Sequence, residues 1–245
     1  MSYLFKLPIT RRWCIAIFCF LLTLNAGVGQ ENDARMQAKL TTLAWGKPVS
    51  GLFYMNDGVV EELKAYTGGF SMPSDYAGSS LINFYSEKSV LMLPEEERPQ
   101  PVATVQIDPS LKHALLLCIP GSSEKYKIIV LDFSLDAFPP KSFRVFNFSQ
   151  HRVVFALGDK PDIHTVEPNQ TSIIRQDDLK ETNQMVKVQL AHESDGEMRL
   201  VYRSSWAVGS EIRNTVFILP KTNGKGGIQL RKFVERGLRP SGGVN

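Results

Sequence analysis

Apolar residues along this chain come in short runs, broken about every 8–15 residues by Gly, Pro, Asn or Asp. Before the segment DAFPPKS the clearest runs are KLTTLAW, VSGLFYM, SSLINFYS, SVLML, PVATVQI, HALLLCI and KYKIIVLDF. After it come FRVFNFS, RVVFAL, IHTV, TSII, MVKVQLAHE, EMRLVYRSSW, NTVFIL and GIQLRKFVE. Each reads as a strand, and few segments hold a helical period for long. VVEELKAY, after Asn56-Asp57-Gly58, fits a short helix or the second arm of a hairpin; the Asp-Gly pair favours the hairpin. Regular short strands of this kind predict an all-β fold, organised as two tandem antiparallel β-sandwich domains of the immunoglobulin-like type.

One hairpin is specific enough to give a register. MVKVQLAHE and EMRLVYRSSW flank Ser194-Asp195-Gly196. A three-residue loop with Gly196 left-handed pairs Leu190 with Leu200 and Val188 with Tyr202, with Val186 and Trp206 on the same side. Lys187, Gln189, Arg199 and Arg203 then take the opposite face. A two-residue Asp-Gly loop shifts the register by one and scatters apolar residues over both faces, which one-sided burial opposes. The three-residue loop is therefore expected, although it sets Lys187 against Arg203.

Pro139 and Pro140 cannot sit in a central strand, so DAFPPKS is the expected boundary. The predicted organisation is a signal peptide at 1–29, a sandwich at 30–135, a linker at 136–142, a second sandwich at 143–237 and a mobile tail at 238–245. Segments on the two sides are loosely alike. LINFYSEKSVLML resembles RVFNFSQHRVVFAL, ATVQI resembles VKVQL, and HALLLCIPGSSEKYKIIVLDF resembles NTVFILPKTNGKGGIQLRKF. Two related sandwiches of roughly 100 residues would account for this, and so would the general likeness of sandwich strands.

The first residues follow a different pattern. Lys6, Arg11 and Arg12 precede the uncharged run CIAIFCFLLTL, and Gly27 and Gly29 lie at −3 and −1 of a cut between Gly29 and Gln30. That order is expected of a cleavable signal peptide, and the run is about half the roughly 20 residues needed to span a bilayer. No transmembrane segment is expected after cleavage, and the mature chain is expected to be periplasmic or extracellular. Three of the 28 basic residues and none of the 25 acidic ones lie before Gln30, leaving 25 of each. A neutral mature chain has no general attraction to phosphate backbones, so nucleic acid is not an expected partner. Cys118 is the one cysteine after the signal, so no internal disulfide is expected. About 215 residues can bury roughly 70% of their unfolded surface without one.

Candidate chemistry is thin. Cys118 needs a base, and His113 is nearest in sequence, but five residues along a strand puts the two on opposite faces. The apolar LLLCIP context makes the thiol structural. His113, His151, His164 and His192 show no paired zinc spacing; Asp162-x-His164 supplies two ligands where a metal needs a third. His192, near the hairpin tip, is expected to be solvated. Glu95-Glu96-Glu97, between Pro94 and Pro99, reads as a solvated loop. Asp177-Asp178 lacks calcium-loop spacing. Gly78-Ser79-Ser80 and Gly121-Ser122-Ser123 read as turns, and no nucleophile elbow or phosphate loop is present. No catalytic, metal or cofactor-binding residue is therefore expected, and no cofactor.

Aromatics are the remaining route to a ligand. Trp45, Tyr54, Tyr66, Phe70, Tyr76, Tyr85 and Trp206 could include a platform for stacking on sugars, with core packing the default for the tryptophans. Asn147 (NFS) and Asn169 (NQT) fit the glycosylation pattern, Asn147 from within a strand. Lys221 to Arg239 holds six basic residues against Glu235, a pattern that discourages edge pairing on a terminal strand.

The run of KLTTLAW, SDYAGSSLINFYS, HALLLCIP, FRVFNFS, MRLVYRSSW and IRNTVFILP resembles a family of exported β-rich proteins from planctomycete and verrucomicrobial bacteria. The resemblance implies a bacterial envelope or extracellular setting and carries no assigned activity or functional residue. A non-catalytic exported module binding another envelope component, protein or glycan, through its surface is the leading expectation. A carbohydrate-binding protein using exposed aromatics comes next, then an enzyme whose residues meet only in the fold. Buried Trp45 and Trp206 would speak against the sugar reading, and a deep cleft of carboxylates or histidine with perturbed pKa would favour the enzyme.

Overall fold

The computed structural model describes residues 35–121, 125–176, 183–194, 196–221 and 227–238. The proposed signal peptide, cleavage at Gly29 and Gln30, Asp177-Asp178, Ser122-Ser123 and most of the tail lie outside them. Among the described residues the regular structure is almost all strand. The first half carries β1 (Arg35–Ala44), β2 (Val49–Asn56), β3 (Val59–Ala65), β4 (Ser74–Ser79), β5 (Leu81–Phe84), β6 (Ala103–Gln106), β7 (His113–Pro120) and β8 (Tyr126–Asp132). The second carries β9 (Ser142–Asn147), β10 (Val153–Leu157), β11 (Asp162–Val166), β12 (Thr171–Arg175), β13 (Asn183–Ser194), β14 (Glu197–Gly209), β15 (Arg213–Pro220) and β16 (Ile228–Glu235). No described helix is long and apolar enough to cross a membrane.

VVEELKAY is an arm of a hairpin. β3 pairs with β2 across Asp57 and Gly58, whose φ values of 47° and 80° are those of a two-residue turn matching strand twist. SVLML is not a strand: Lys88–Met92 forms a 3-10 turn, followed by another at Glu95–Glu97. Pro94 and Pro99 lack the N–H groups that a ladder needs. β4, within PSDYAGS, carried no clear alternation and was not anticipated.

The second half repeats the strand order of the first. Sheet β4-β1-β7-β8 corresponds place for place to β12-β9-β15-β16. In both, the first strand of the half runs parallel to its seventh and the seventh pairs antiparallel with its eighth. The other sheets follow suit. The β2–β3 and β5–β6 pairs are joined by a Phe53–Tyr85 bridge, giving the order 3-2-5-6 that recurs as β11-β10-β13-β14. Of the three sequence likenesses, only HALLLCIP…VLDF with NTVFILP…LRKF falls on equivalent strands, β7–β8 and β15–β16. The other two pair strands that are not counterparts, because alternating apolar residues look alike wherever they occur.

Burial explains the sequence patterns. In β1 exposed and buried positions alternate up to Lys39, and every residue from Leu40 on is buried. In β7, Ala114, Leu116 and Cys118 enter the core of the first half, while Leu115 and Leu117 enter a different cluster. In β15, Val216 and Ile218 enter the core of the second half, and Phe217 joins that same different cluster. A strand covered on both faces reads as a continuous apolar run, as HALLLCIP and NTVFILP do. The shared cluster takes Leu43, Trp45, Leu115 and Leu117 from the first half and Phe146, Phe217 and Phe233 from the second. Asp33–Asn245 accordingly forms one compact unit.

The DAFPPKS connection is packed into this junction. Phe138 is fully buried, and Arg213, with 1% of its side chain exposed, donates to the carbonyls of Phe133, Ser134 and Phe138. Its guanidinium lies over the Phe133 and Phe138 rings and reaches Glu235 through Nε (2.6 Å) and Nη2 (3.1 Å). Burial pushes the Glu235 carboxyl above its ordinary range, and Arg213 opposes that shift.

Candidate functional site

The β13–β14 hairpin closes one residue tighter than expected. Ser194 pairs with Glu197, leaving the two-residue loop that the face argument had opposed. Gly196 is left-handed at φ 78°, as anticipated. Near the tip Ala191 faces Leu200; past a β-bulge Leu190 faces Tyr202 and Val186 faces Trp206. The extra residue, Val201, resets the parity, so Val186, Val188, Leu190 and Trp206 still share the buried face. The bulge reconciles a two-residue turn with one-sided burial, and no alternation count could have located it.

The outward face of this sheet leaves several large apolar residues exposed. Cross-strand register places Thr165, Val154, Ala191 and Leu200 in one row, and Ile163, Ala156, Gln189 and Arg203 in the next. Ile163 is 58% exposed and Leu200 53%, with Met185, Met198 and Val201 also open to solvent. Lys187, on the same face, pairs with Asp159. At the counterpart sheet of the first half a segment of the chain lies against one strand. There the connection between β5 and β6 runs through the 3-10 turn at Lys88–Met92, which lies against β2 and buries Leu91 to 4% exposure. The equivalent β13–β14 connection is a two-residue turn and covers nothing.

The residues singled out from sequence are scattered. Cys118 sits in the first core, where burial pushes its thiol up to about 12. His113 points the other way, bonded to Thr41 Oγ1 at 2.8 Å and edge-on to Phe133. Burial, then the Arg213 and Lys39 charges, lowers it to about 4. Asp162 and His164 bond to each other on the rim strand β11, Oδ2 to Nε2 at 2.7 Å. Glu95, Glu96 and Glu97 are exposed, as expected.

His192 is not solvated: it is 5% exposed, because the β10 pairing sets it opposite Val153. Its ring meets that of His151 at 4.6 Å, and the Nδ1 of each lies within reach of the Glu193 carbonyl, at 3.0 Å from His151 and 3.3 Å from His192. A carbonyl only accepts, so in each contact the ring Nδ1 is the donor. Burial first, then the nearby His151, Arg199 and Lys221, lowers the pKa of His192. Nothing in the spacing of residues 151 and 192 announces this contact. Among the described residues no three metal-ligating side chains gather.

Trp45 is 9% exposed and Trp206 1%, and Tyr54, Tyr76 and Tyr85 are buried as well. Tyr66 alone of the tyrosines singled out is open to solvent, and Phe70 packs on Phe133 and Phe233. Asn147 is fully buried, its Nδ2 donating to the carbonyls of His151, Val166 and Glu167. Asn169 occupies an exposed left-handed turn. The basic residues of edge strand β16 face inward contacts: Arg231 lies over Trp45 and donates to the Thr67 carbonyl, and Lys232 lies over Trp206.

One cleft of about 320 Å³ opens between β3 and β4, lined by Tyr54, Glu61, Ser71 and Leu116 among others. The Glu61 carboxylate already accepts from the Tyr54 hydroxyl (3.0 Å) and Asn56 Nδ2 (2.9 Å). Burial, then the Glu61 charge, raises the Tyr54 pKa, so Tyr54 is held as a donor. The histidines with lowered pKa do not line this cleft. A scan against protein-family models finds no match, and a search of the curated proteins finds none either.

Proposed function

We propose that this chain is an exported, non-catalytic binding module of two tandem immunoglobulin-like β-sandwiches, acting in the periplasm or outside the cell on another envelope protein. The observation that carries the reading is the uncovered outer face of sheet β11-β10-β13-β14, where Ile163, Met198, Leu200 and Val201 stand in solvent. Exposed apolar surface gathered on one face favours an interaction site, because leaving it hydrated costs about 25 cal/mol per Å². The repeated strand order and a separate apolar cluster in each half support two tandem sandwiches. The export pattern before Gln30 supports the compartment. A sugar platform is not favoured, since Trp45 and Trp206 pack inside.

The test is affinity capture from an envelope extract with the mature chain and with Leu200→Asp as parallel baits. Retention of a defined protein by the first bait and its loss with the second is expected. Capture indifferent to Leu200, or binding of glycan alone, overturns the reading.

A further inference from the structure

We propose that the uncovered face of the second half receives the 3-10 turn segment of the first half of another copy, so that the chain assembles head to tail. This deepens the reading above and rests on it, by naming the partner as a second copy. The repeated strand order supplies two equivalent sheet faces but only one covering segment. That segment, between β5 and β6, buries Leu91 on its own sheet and turns Met92 and Leu93 outward, 75% and 40% exposed. The segment is held in shape. Pro94 and Pro99 restrict it, and Arg98 donates to the carbonyls of Leu93 (3.1 Å) and Leu91 (3.4 Å). A preorganised loop loses little entropy on docking.

Charge and chemistry match across the two surfaces. Met92 and Leu93 are followed by Glu95, Glu96 and Glu97, all exposed. The receiving face offers Leu200, Ile163 and Met198 beside the exposed Arg203, while Lys187 there is shared with Asp159, and Glu193, opposite Met198, with Arg152. The ends of the chain's own β14 edge are less suited to pairing with another strand, because the bulge at Val201 interrupts the ladder. Loop and face are different surfaces, so the contact is heterologous: every open assembly keeps one free loop at one end and one free face at the other, and growth continues unless a ring closes.

Sedimentation of the purified mature chain, up to about 100 µM to reach micromolar affinities, tests this. Mass should rise with concentration beyond a dimer and fall back in high salt, which screens the glutamate run from Arg203. A loop variant, Met92→Asp with Leu93→Asp, and a face variant, Leu200→Asp, should each be monomeric with an unchanged thermal midpoint. Mixed in equal amounts, they should form a one-to-one dimer and nothing larger, since one intact loop meets one intact face. A monomeric wild-type chain over the whole range overturns the proposal, as does a face variant that still assembles or a mixture that stays monomeric. Leu200-dependent capture of a different protein in the previous experiment would leave the binding-module reading standing even then.

Discussion

Trp45 and Phe217 meet edge to face across the junction of the two halves, with ring centroids 6.2 Å apart and planes at 71°. Trp45 follows β1, and Phe217 lies in β15, which runs beside β9, the counterpart of β1. The contact therefore joins corresponding sheets, and Arg231 closes over Trp45 from β16 at 5.0 Å.

Phe217→Ala should cost about 3–5 kcal/mol, the usual range for emptying a large aromatic site in a packed core. Phe217 is fully buried and also stacks on Phe146. Because the lost contacts couple the halves, calorimetry should change from one unfolding transition to two. A single transition with an unaltered midpoint would show that the junction contributes little.

Arg213→Met should be more damaging than Glu235→Gln. The first leaves the buried Glu235 carboxyl and the carbonyls of Phe133, Ser134 and Phe138 without the guanidinium donor, on the order of 3–5 kcal/mol. The second leaves a neutral acceptor for Arg213 at a site whose burial already disfavours the charge. Urea denaturation of both variants checks the order, and equal losses would refute it.

His113 should make stability fall in mild acid. Its folded pKa of about 4 lies below the ordinary 6.5, so between those values the unfolded chain takes up a proton that the folded chain refuses. The stabilisation is full above about pH 6.5, is lost as pH falls towards 4, and amounts to at most about 3 kcal/mol, less where solvent screens this half-buried ring. His113→Gln, which keeps a partner for Thr41, should flatten that part of the curve relative to wild type. Parallel curves for the two proteins would remove His113 as the cause.

Gly196→Ala should destabilise by about 1–2 kcal/mol, the cost of a side chain in the left-handed region. A Cβ there meets no atom within 4 Å, so the penalty is backbone strain alone. Gly196→Asn, which tolerates that conformation better, should recover part of the loss in thermal melts. Equal midpoints for alanine and glycine would contradict the turn geometry.

Cys118 should resist thiol reagents at neutral pH until the chain unfolds, since it is fully buried with its thiol pushed up to about 12. Labelling in native buffer at the rate of a free thiol would show that β7 opens locally.

Sequence by itself pointed to the strand content, the Asp57-Gly58 hairpin, the apolar setting of Cys118 and the core packing of Trp45 and Trp206. Each follows from local alternation or from the chemistry of one side chain, and a period of two records which face a residue takes. The same alternation says nothing about which strands become neighbours. Only the tertiary structure decided the bulge at Val201, the meeting of His151 with His192, the grip of Arg213 on the Phe133–Phe138 segment, and the seating of a 3-10 turn on one sheet with only a tight turn at its counterpart. These depend on contacts between residues far apart in the chain, where packing and hydrogen-bond satisfaction select among registers that a short stretch of sequence leaves equally good.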